Sequence, residues 1–155
     1  MSETGVAVVV SRHIRPYLEA VDGLMQRLSE IPGGEVATVE LERRERSSPA
    51  RVARDLKDAG YGLLVAVGPD AARFAWRYFP GADVPKIYTM VLYPSRVLEG
   101  RARAADRLCG ISLAIPPSRQ LEVISRGIPG ARRVGILYDP AHNAEFLEAA
   151  VRNAP

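Results

Sequence analysis

The chain carries one cysteine, Cys109, and two histidines, His13 and His142, in 155 residues. A single cysteine excludes an internal disulfide. These three residues lie far apart in sequence, so no His/Cys cluster has metal-ligand spacing and no Cys–His catalytic pair is indicated. No apolar run approaches the ~20 residues a membrane span needs. Charge of one sign is also scarce: 21 Lys and Arg against 18 Asp and Glu leave a net charge of +3. So small an excess implies nucleic-acid binding only if it is clustered. The densest charged stretch, Glu42-Arg43-Arg44-Glu45-Arg46, alternates in sign and is expected to be a solvated loop. Nucleic acid is therefore not an expected partner.

Catalytic signatures are missing too. There is no Walker P-loop, no G-x-G-x-x-G after the first strand-like run and no nucleophile elbow. The first strand does not end in the acidic pair with which a receiver domain holds magnesium. Neither enzymatic activity nor a cofactor is expected. No signal peptide is read either, because Met1-Ser2-Glu3-Thr4 leads straight into a strand.

What is present is ordinary for a soluble globular protein: 47% hydrophobic and 25% charged residues. The length is about one domain's worth, enough for a core without disulfide staples. Val6 to Val10 is a β-branched run, apolar on both faces as a buried parallel strand requires. Pro16 opens a helix carrying Leu18, Val21, Leu24, Met25 and Leu28 at helical spacing, and Pro32-Gly33-Gly34 ends it. Val36 to Leu41 reads as a second strand. Ser48-Pro49 supplies an N-cap and a first-turn proline for a helix striped with Val52, Ala53, Leu56 and Ala59, stopped at Gly60.

Leu63 to Val67 is a third strand, and Gly68-Pro69-Asp70 turns directly into a helix with Ala72, Ala75, Trp76 and Phe79. Trp76 is expected in the core or an interface. Lys86 to Leu92 is a fourth strand, followed by a short helical stretch to about Glu99 and a charged loop at Arg101 to Arg107. Cys109 to Ala114 is a fifth strand, in which Cys109 reads as a small buried hydrophobe. Pro116-Pro117-Ser118 opens a helix with Leu121, Ile124 and Ile128. Arg133 to Tyr138 is expected as a sixth strand. Asp139-Pro140 turns the chain into a last helix from Asn143 to about Asn153, with His142 solvated. Strands alternating with helices predict an α/β fold: a three-layer parallel sheet with helices on both faces.

In such sheets ligands sit beyond the carboxyl ends of the strands. Three turns supply that rim here: Ser11-Arg12-His13-Ile14, Gly68-Pro69-Asp70-Ala71 and Val91-Leu92-Tyr93-Pro94-Ser95. The Gly68 turn feeds a helix N-terminus, where amide groups and the dipole suit a carboxylate or phosphate. Asp70 already occupies that positive end, so the turn reads equally as a good helix start. Arg12 and His13 suit a ligand carboxylate, or are exposed loop residues. Tyr93 suits stacking on an aromatic ligand, or plain packing.

Five stretches resemble the tryptophan/tyrosine-type substrate-binding family of ABC transporters, which has the type I periplasmic binding protein fold. They are Val6 to His13, Leu64 to Ala72, Val84 to Pro94, Cys109 to Leu113, and Gln120 through Pro129-Gly130-Ala131-Arg132-Arg133-Val134-Gly135-Ile136-Leu137-Tyr138-Asp139-Pro140. The last is the most specific. The resemblance implies two α/β lobes with flavodoxin-like strand order, joined by hinge strands, with a small ligand held in the cleft and no catalysis. It implies a first lobe at 1–114, and at 115–155 a crossover with the first strand–helix unit of a second lobe. The cleft residues it maps are Ser11, Arg12, His13, Gly68, Pro69, Asp70, Met90, Leu92 and Tyr93. One departure is Pro69, which stands where the family often has a hydroxyl that reaches the ligand.

The function implied is capture of a small metabolite, possibly an amino acid, for an ABC importer. A ligand-sensing regulatory domain of the same fold is the alternative. The permease is then a partner, and the setting is periplasmic or lipoprotein for a full-length protein bearing a leader, cytoplasmic for the chain as it stands. With most of a second lobe lacking, this chain alone is expected to bind ligand weakly. Residues 116–155 are expected to add their strand to the first lobe's sheet or to exchange with a second copy, as a homodimer.

Overall fold

A computed structural model describes residues 5–30, 35–44, 48–81, 83–99 and 108–154. The expectations for the first four residues, the Pro32-Gly33-Gly34 stop, Glu45 and Arg46, the loop at 101–107 and the side chain of His142 lie outside the described residues. The chain divides into two compact units, Met1–Leu113 and Ala114–Pro155.

The first unit alternates as the hydrophobic pattern predicts. β1 (Val6–Val10) leads to α1 (Arg15–Ser29), β2 (Val36–Glu40) to α2 (Pro49–Asp58), and β3 (Leu63–Val67) to α3 (Pro69–Tyr78). β4 (Lys86–Val91), the short α4 (Pro94–Val97) and β5 (Leu108–Ser112) complete it. Local chemistry sets several boundaries. Ser48 Oγ accepts from the Arg51 N–H at the start of α2, and Pro49 follows as its first helical residue. Gly60, with φ of 72°, takes the left-handed turn that ends the α2 segment.

All five strands are parallel, in the order β2-β1-β3-β4-β5, which is the flavodoxin-like order. Both faces of the central strands β1 and β3 are buried, and alternation along them divides the core in two. Val8, Val10, Val65 and Val67 pack with Val21 of α1 on one face. Ala7, Val9, Leu64 and Ala66 pack with residues of α2 and α3, including Leu56, Phe74 and Trp76, on the other. Trp76 is core, 1% exposed, with its ring edge against Tyr88 at 6.1 Å between centroids.

Cys109 corrects the expectation of a buried thiol: it is exposed. Among the described residues β5 is the sheet's edge and pairs with β4 alone, so its apolar run lacks the second neighbour that encloses β1 and β3; Ile111 on the same strand is exposed as well.

A lysine does structural work in the same strand system. Lys86 opens β4 and is 3% exposed. Its Nζ donates to the Phe79 carbonyl at 2.8 Å and the Gly81 carbonyl at 2.6 Å, and lies 5.6 Å from the Trp76 ring centroid. The cation thus satisfies carbonyls at the C-terminal end of α3, where the helix dipole is negative.

The second unit holds α5 (Pro117–Gly127) and α6 (Pro140–Arg152). Asp139 caps α6 by accepting from the Ala141 N–H at 2.9 Å, so the helix begins ahead of the expected Asn143, where the backbone departs from helical angles. The expected sixth strand over Arg133 to Tyr138 does not form: residues 131–139 carry no regular structure between the two helices. A strand exists only by its ladder, and the described residues of this unit include no second strand to supply one. The β-branched composition is there, but the hydrogen-bond partner is not.

Replacing Lys86 with Met is expected to lower stability by roughly 2–3 kcal/mol, because the carbonyls it serves lose a charged donor inside the core. Urea unfolding followed by tryptophan fluorescence measures the loss, since Trp76 lies beside Lys86.

Candidate functional site

Register places the rim before any side chain is considered. Val10 pairs with Val67, and Val67 with Thr89. The residues that follow them, Ser11, Gly68 and Met90, therefore stand in a row at the carboxyl ends of three adjacent strands. The row is held by the backbone: Ser11 N–H donates to the Val67 carbonyl, and Gly68 N–H to the Thr89 carbonyl, both at 2.9 Å. It spans the β1/β3 junction, where strand order reverses and the chain turns to opposite sides of the sheet.

Ser11 and Gly68 make a single construction. Gly68 has φ of 90° and offers no side chain to cap α3. Ser11 Oγ supplies the cap from the neighbouring strand, accepting from the Ala71 N–H at 2.8 Å, and is itself only 4% exposed. A Cβ at position 68 would come within 2.7 Å of that oxygen and 2.8 Å of the Tyr17 ring. Glycine is thus required twice, by its backbone angle and by the close approach.

This construction limits what the helix N-terminus offers a ligand. Pro69 has no N–H, the Ala71 N–H is taken by Ser11, and the Ala72 N–H bonds the Gly68 carbonyl. Of the first-turn amides only that of Asp70 is without a partner among the described residues. The Asp70 carboxylate sits beside it, paired with Arg73 at 2.6 Å and with Arg12 at 3.8 Å. The turn is a helix start first; it is not a built phosphate cradle.

Arg12 remains exposed, 65% for its side chain, and its contact with Asp70 is long. His13 is engaged elsewhere. Its backbone N–H donates to Glu42 Oε2 at 2.8 Å, and its Nδ1 lies 2.9 Å from Glu40 Oε2. Arg43 closes the group, 3.0 Å from the same Glu40 oxygen and 3.4 Å from His13 Nε2. Of the alternating charges expected as a solvated loop, Glu42 and Arg43 do more than meet water. Glu42 to Arg44 fold as a short 3-10 turn, and Glu42 and Arg43 anchor the loop after β1 to the end of β2.

Met90 has a left-handed backbone, φ of 59°, which a non-glycine residue adopts only under constraint. The constraint is a bulge: Tyr88 pairs with Gly110 and Val91 with Ser112, so β4 spends one more residue than β5 over the same span. The extra residue lets Tyr88 and Val91 both face the α2/α3 side of the core while Met90 packs on the α1 side. Leu92 then emerges 50% exposed, and Tyr93 follows half-buried at the start of α4.

Thus Ser11, Arg12, Gly68, Pro69 and Asp70 come together, Met90 joins them by register, Leu92 and Tyr93 continue from β4, and His13 is drawn toward β2. Tyr17, Glu40 and Arg43 were not singled out by sequence; the one available signal was Tyr17 at the first turn of α1, facing the rim. Among the described residues no group of three or more His, Cys, Asp or Glu side chains is placed to hold a metal ion.

No family model matches the chain, and a search of curated proteins returns no match. Solved structures do match in fold. A ligand-free, open substrate-binding protein with adhesive properties from Clostridium difficile is 17% identical, with a TM-score of 0.73. An ABC domain from Streptococcus pneumoniae in complex with L-Trp is 20% identical, TM-score 0.59. A conserved domain protein from Vibrio cholerae is 20% identical, TM-score 0.60. They are matched over 97, 97 and 99% of this chain respectively. The chain spans about half the length of each, 54–55%.

Ser11→Ala is expected to cost about 1 kcal/mol, the usual loss of a helix cap. Gly68→Ala is expected to cost more, since it adds backbone strain to a clash with two neighbours. Urea unfolding of both variants beside the parent checks the order.

Proposed function

We propose that residues 1–114 are the first lobe of a solute-binding protein and residues 115–155 the beginning of its second, and that the lobe captures a small metabolite at the Ser11–Gly68–Met90 rim without catalysing a reaction. The observation that carries this reading is the row itself: three strand ends aligned by register at the point where strand order reverses, with a required glycine in the middle. The fold shared with substrate-binding proteins supports it.

An amino acid suits the rim's chemistry. Arg12 offers an exposed guanidinium whose Asp70 contact is long enough to be exchanged for a ligand carboxylate. Leu92 and Tyr93 offer apolar and aromatic surface for a side chain. In that role the protein serves an ABC permease from a periplasmic or membrane-anchored position. No helix among the described residues is long and apolar enough to cross a membrane. Self-association through residues 116–155 belongs to the same proposal, because Ala150 is the one buried hydrophobe described in the second unit.

One lobe gives half the contacts of a closed cleft, so binding by this chain is expected in the range of roughly 1 mM, about −4 kcal/mol. Titration of the isotope-labelled 155-residue chain with tryptophan, tyrosine, leucine and small organic acids at millimolar concentration should shift the backbone amides of residues 11–14, 68–71 and 90–93. Arg12→Ala should abolish the shifts for carboxylate ligands. Shifts absent for every compound, or confined to other residues, would remove small-molecule capture at this rim.

A further inference from the structure

Tyr17 stands in the first turn of α1, and its side chain is divided between core and water. The ring packs against Val8, Val10, Val65 and Val67. Its far end leaves that core. A Cβ at position 68 would lie 2.8 Å from both Cε2 and Cζ of the ring, so the hydroxyl-bearing edge is what meets Gly68. The hydroxyl is one bond beyond Cζ and therefore lies beside the middle residue of the Ser11–Gly68–Met90 row.

That hydroxyl is unoccupied. It makes no hydrogen bond to any described residue. Among the described residues Trp76 Nε1 is the buried side-chain polar atom without a partner, so the Tyr17 oxygen, equally unpartnered, reaches water. A tyrosine whose ring is packed usually finds a partner for its hydroxyl. The neighbouring polar groups have theirs: Ser11 Oγ accepts from the Ala71 N–H, and Asp70 holds Arg73 at 2.6 Å. Tyr17 thus presents a donor and acceptor to solvent on a ring that the core fixes in place.

We propose that the Tyr17 hydroxyl contacts the captured solute and donates a hydrogen bond to its carboxylate. This rests on the capture proposed above and adds a specificity-determining residue to it. Arg12 reaches Asp70, two residues past Gly68, so guanidinium and phenol serve the same turn. Their contributions differ. Arg12 brings charge on an exposed side chain that must be ordered on binding, whereas Tyr17 brings a direction already set by packing, which lowers the ordering cost. A carboxylate has two oxygens and accepts from several donors at once, so the two groups add rather than compete. A solute without a carboxylate forgoes both. Gly68 gains a further purpose, because a side chain there would push the phenol out of the row.

The test uses the whole 155-residue chain and matched probes: L-leucine with isoamylamine, and L-tryptophan with tryptamine, the second of each pair lacking the carboxylate. Binding is read from backbone amide shifts. Tyr17→Phe keeps the ring and removes the hydroxyl alone. It should weaken binding of the amino acids about tenfold, the worth of one hydrogen bond to a charged group, and leave the amines at the parent value. Because the hydroxyl has no partner within the described residues, the variant should also unfold at the parent's urea midpoint, which separates contact with solute from a structural role. Equal amino-acid binding by parent and Tyr17→Phe overturns the proposal and leaves capture standing. So does a lowered urea midpoint, or a loss that is the same for the amines as for the amino acids. No shift at residues 11–14, 68–71 and 90–93 of the parent with any of these probes overturns capture at the rim, and the role of Tyr17 with it.

Discussion

β1 is the constraint on which the first unit turns. Ala7 and Val9 on one face and Val8 and Val10 on the other are entirely withdrawn from water. A strand apolar on both sides needs a strand on each edge and a helix layer over each face. β2 and β3 supply the edges, α1 covers one face, and α2 and α3 cover the other. Parallel neighbours force every connection to return to the same end of the sheet, so all carboxyl ends point one way. The rim is therefore a consequence of burying four small apolar residues. It owes its position to the core, and its chemistry only to the few residues that happen to follow each strand.

The Ser11–Gly68 construction shows how such a rim is kept rigid. The chain leaves β3 through a left-handed glycine, and the helix that follows has no cap of its own. A hydroxyl from the residue after β1, sixty residues before the amide it caps, fills the gap. Strand pairing and helix capping are coupled at one buried atom, so the β1 and β3 ends cannot drift apart without unsatisfying an amide. The neighbouring bulge at Met90 is a second device of this kind: backbone strain at one residue is held by the packing of Tyr88 and Val91 on either side.

Much of this was legible in the chain of residues. The apolar runs at 6–10 and 63–67, the Ser48-Pro49 start and the Gly68-Pro69-Asp70 turn each carry a local physical cause, and each element lies where that cause puts it. What was not legible depends on partners distant in sequence. Cys109 looks buried because its neighbours are apolar, but burial of β5 depends on what lies beyond β4. Residues 133–138 look like a strand because composition encodes propensity, whereas a ladder needs a second strand. His13 looks free for a ligand because Glu40 and Arg43 stand about thirty residues away, and only the adjacency of β1 and β2 brings them together. Residue type was readable; occupancy of the residue by its neighbours was not.

The same distinction bears on the capture proposed for the rim. Its charged groups are already partnered, but not equally. Asp70 is held tightly by Arg73 and loosely by Arg12, and all three side chains meet solvent. Exposed pairs of this kind are worth about 0–1 kcal/mol. In the proposed capture, transferring Arg12 from Asp70 to a ligand carboxylate therefore costs little, because Asp70 keeps its shorter partner. His13 is the opposite case, since pulling it away breaks contacts to Glu40, Glu42 and Arg43 together. The two basic side chains of this loop thus differ: Arg12 is exposed with one long contact, whereas His13 is anchored to the end of β2 and fixes the loop that carries Arg12.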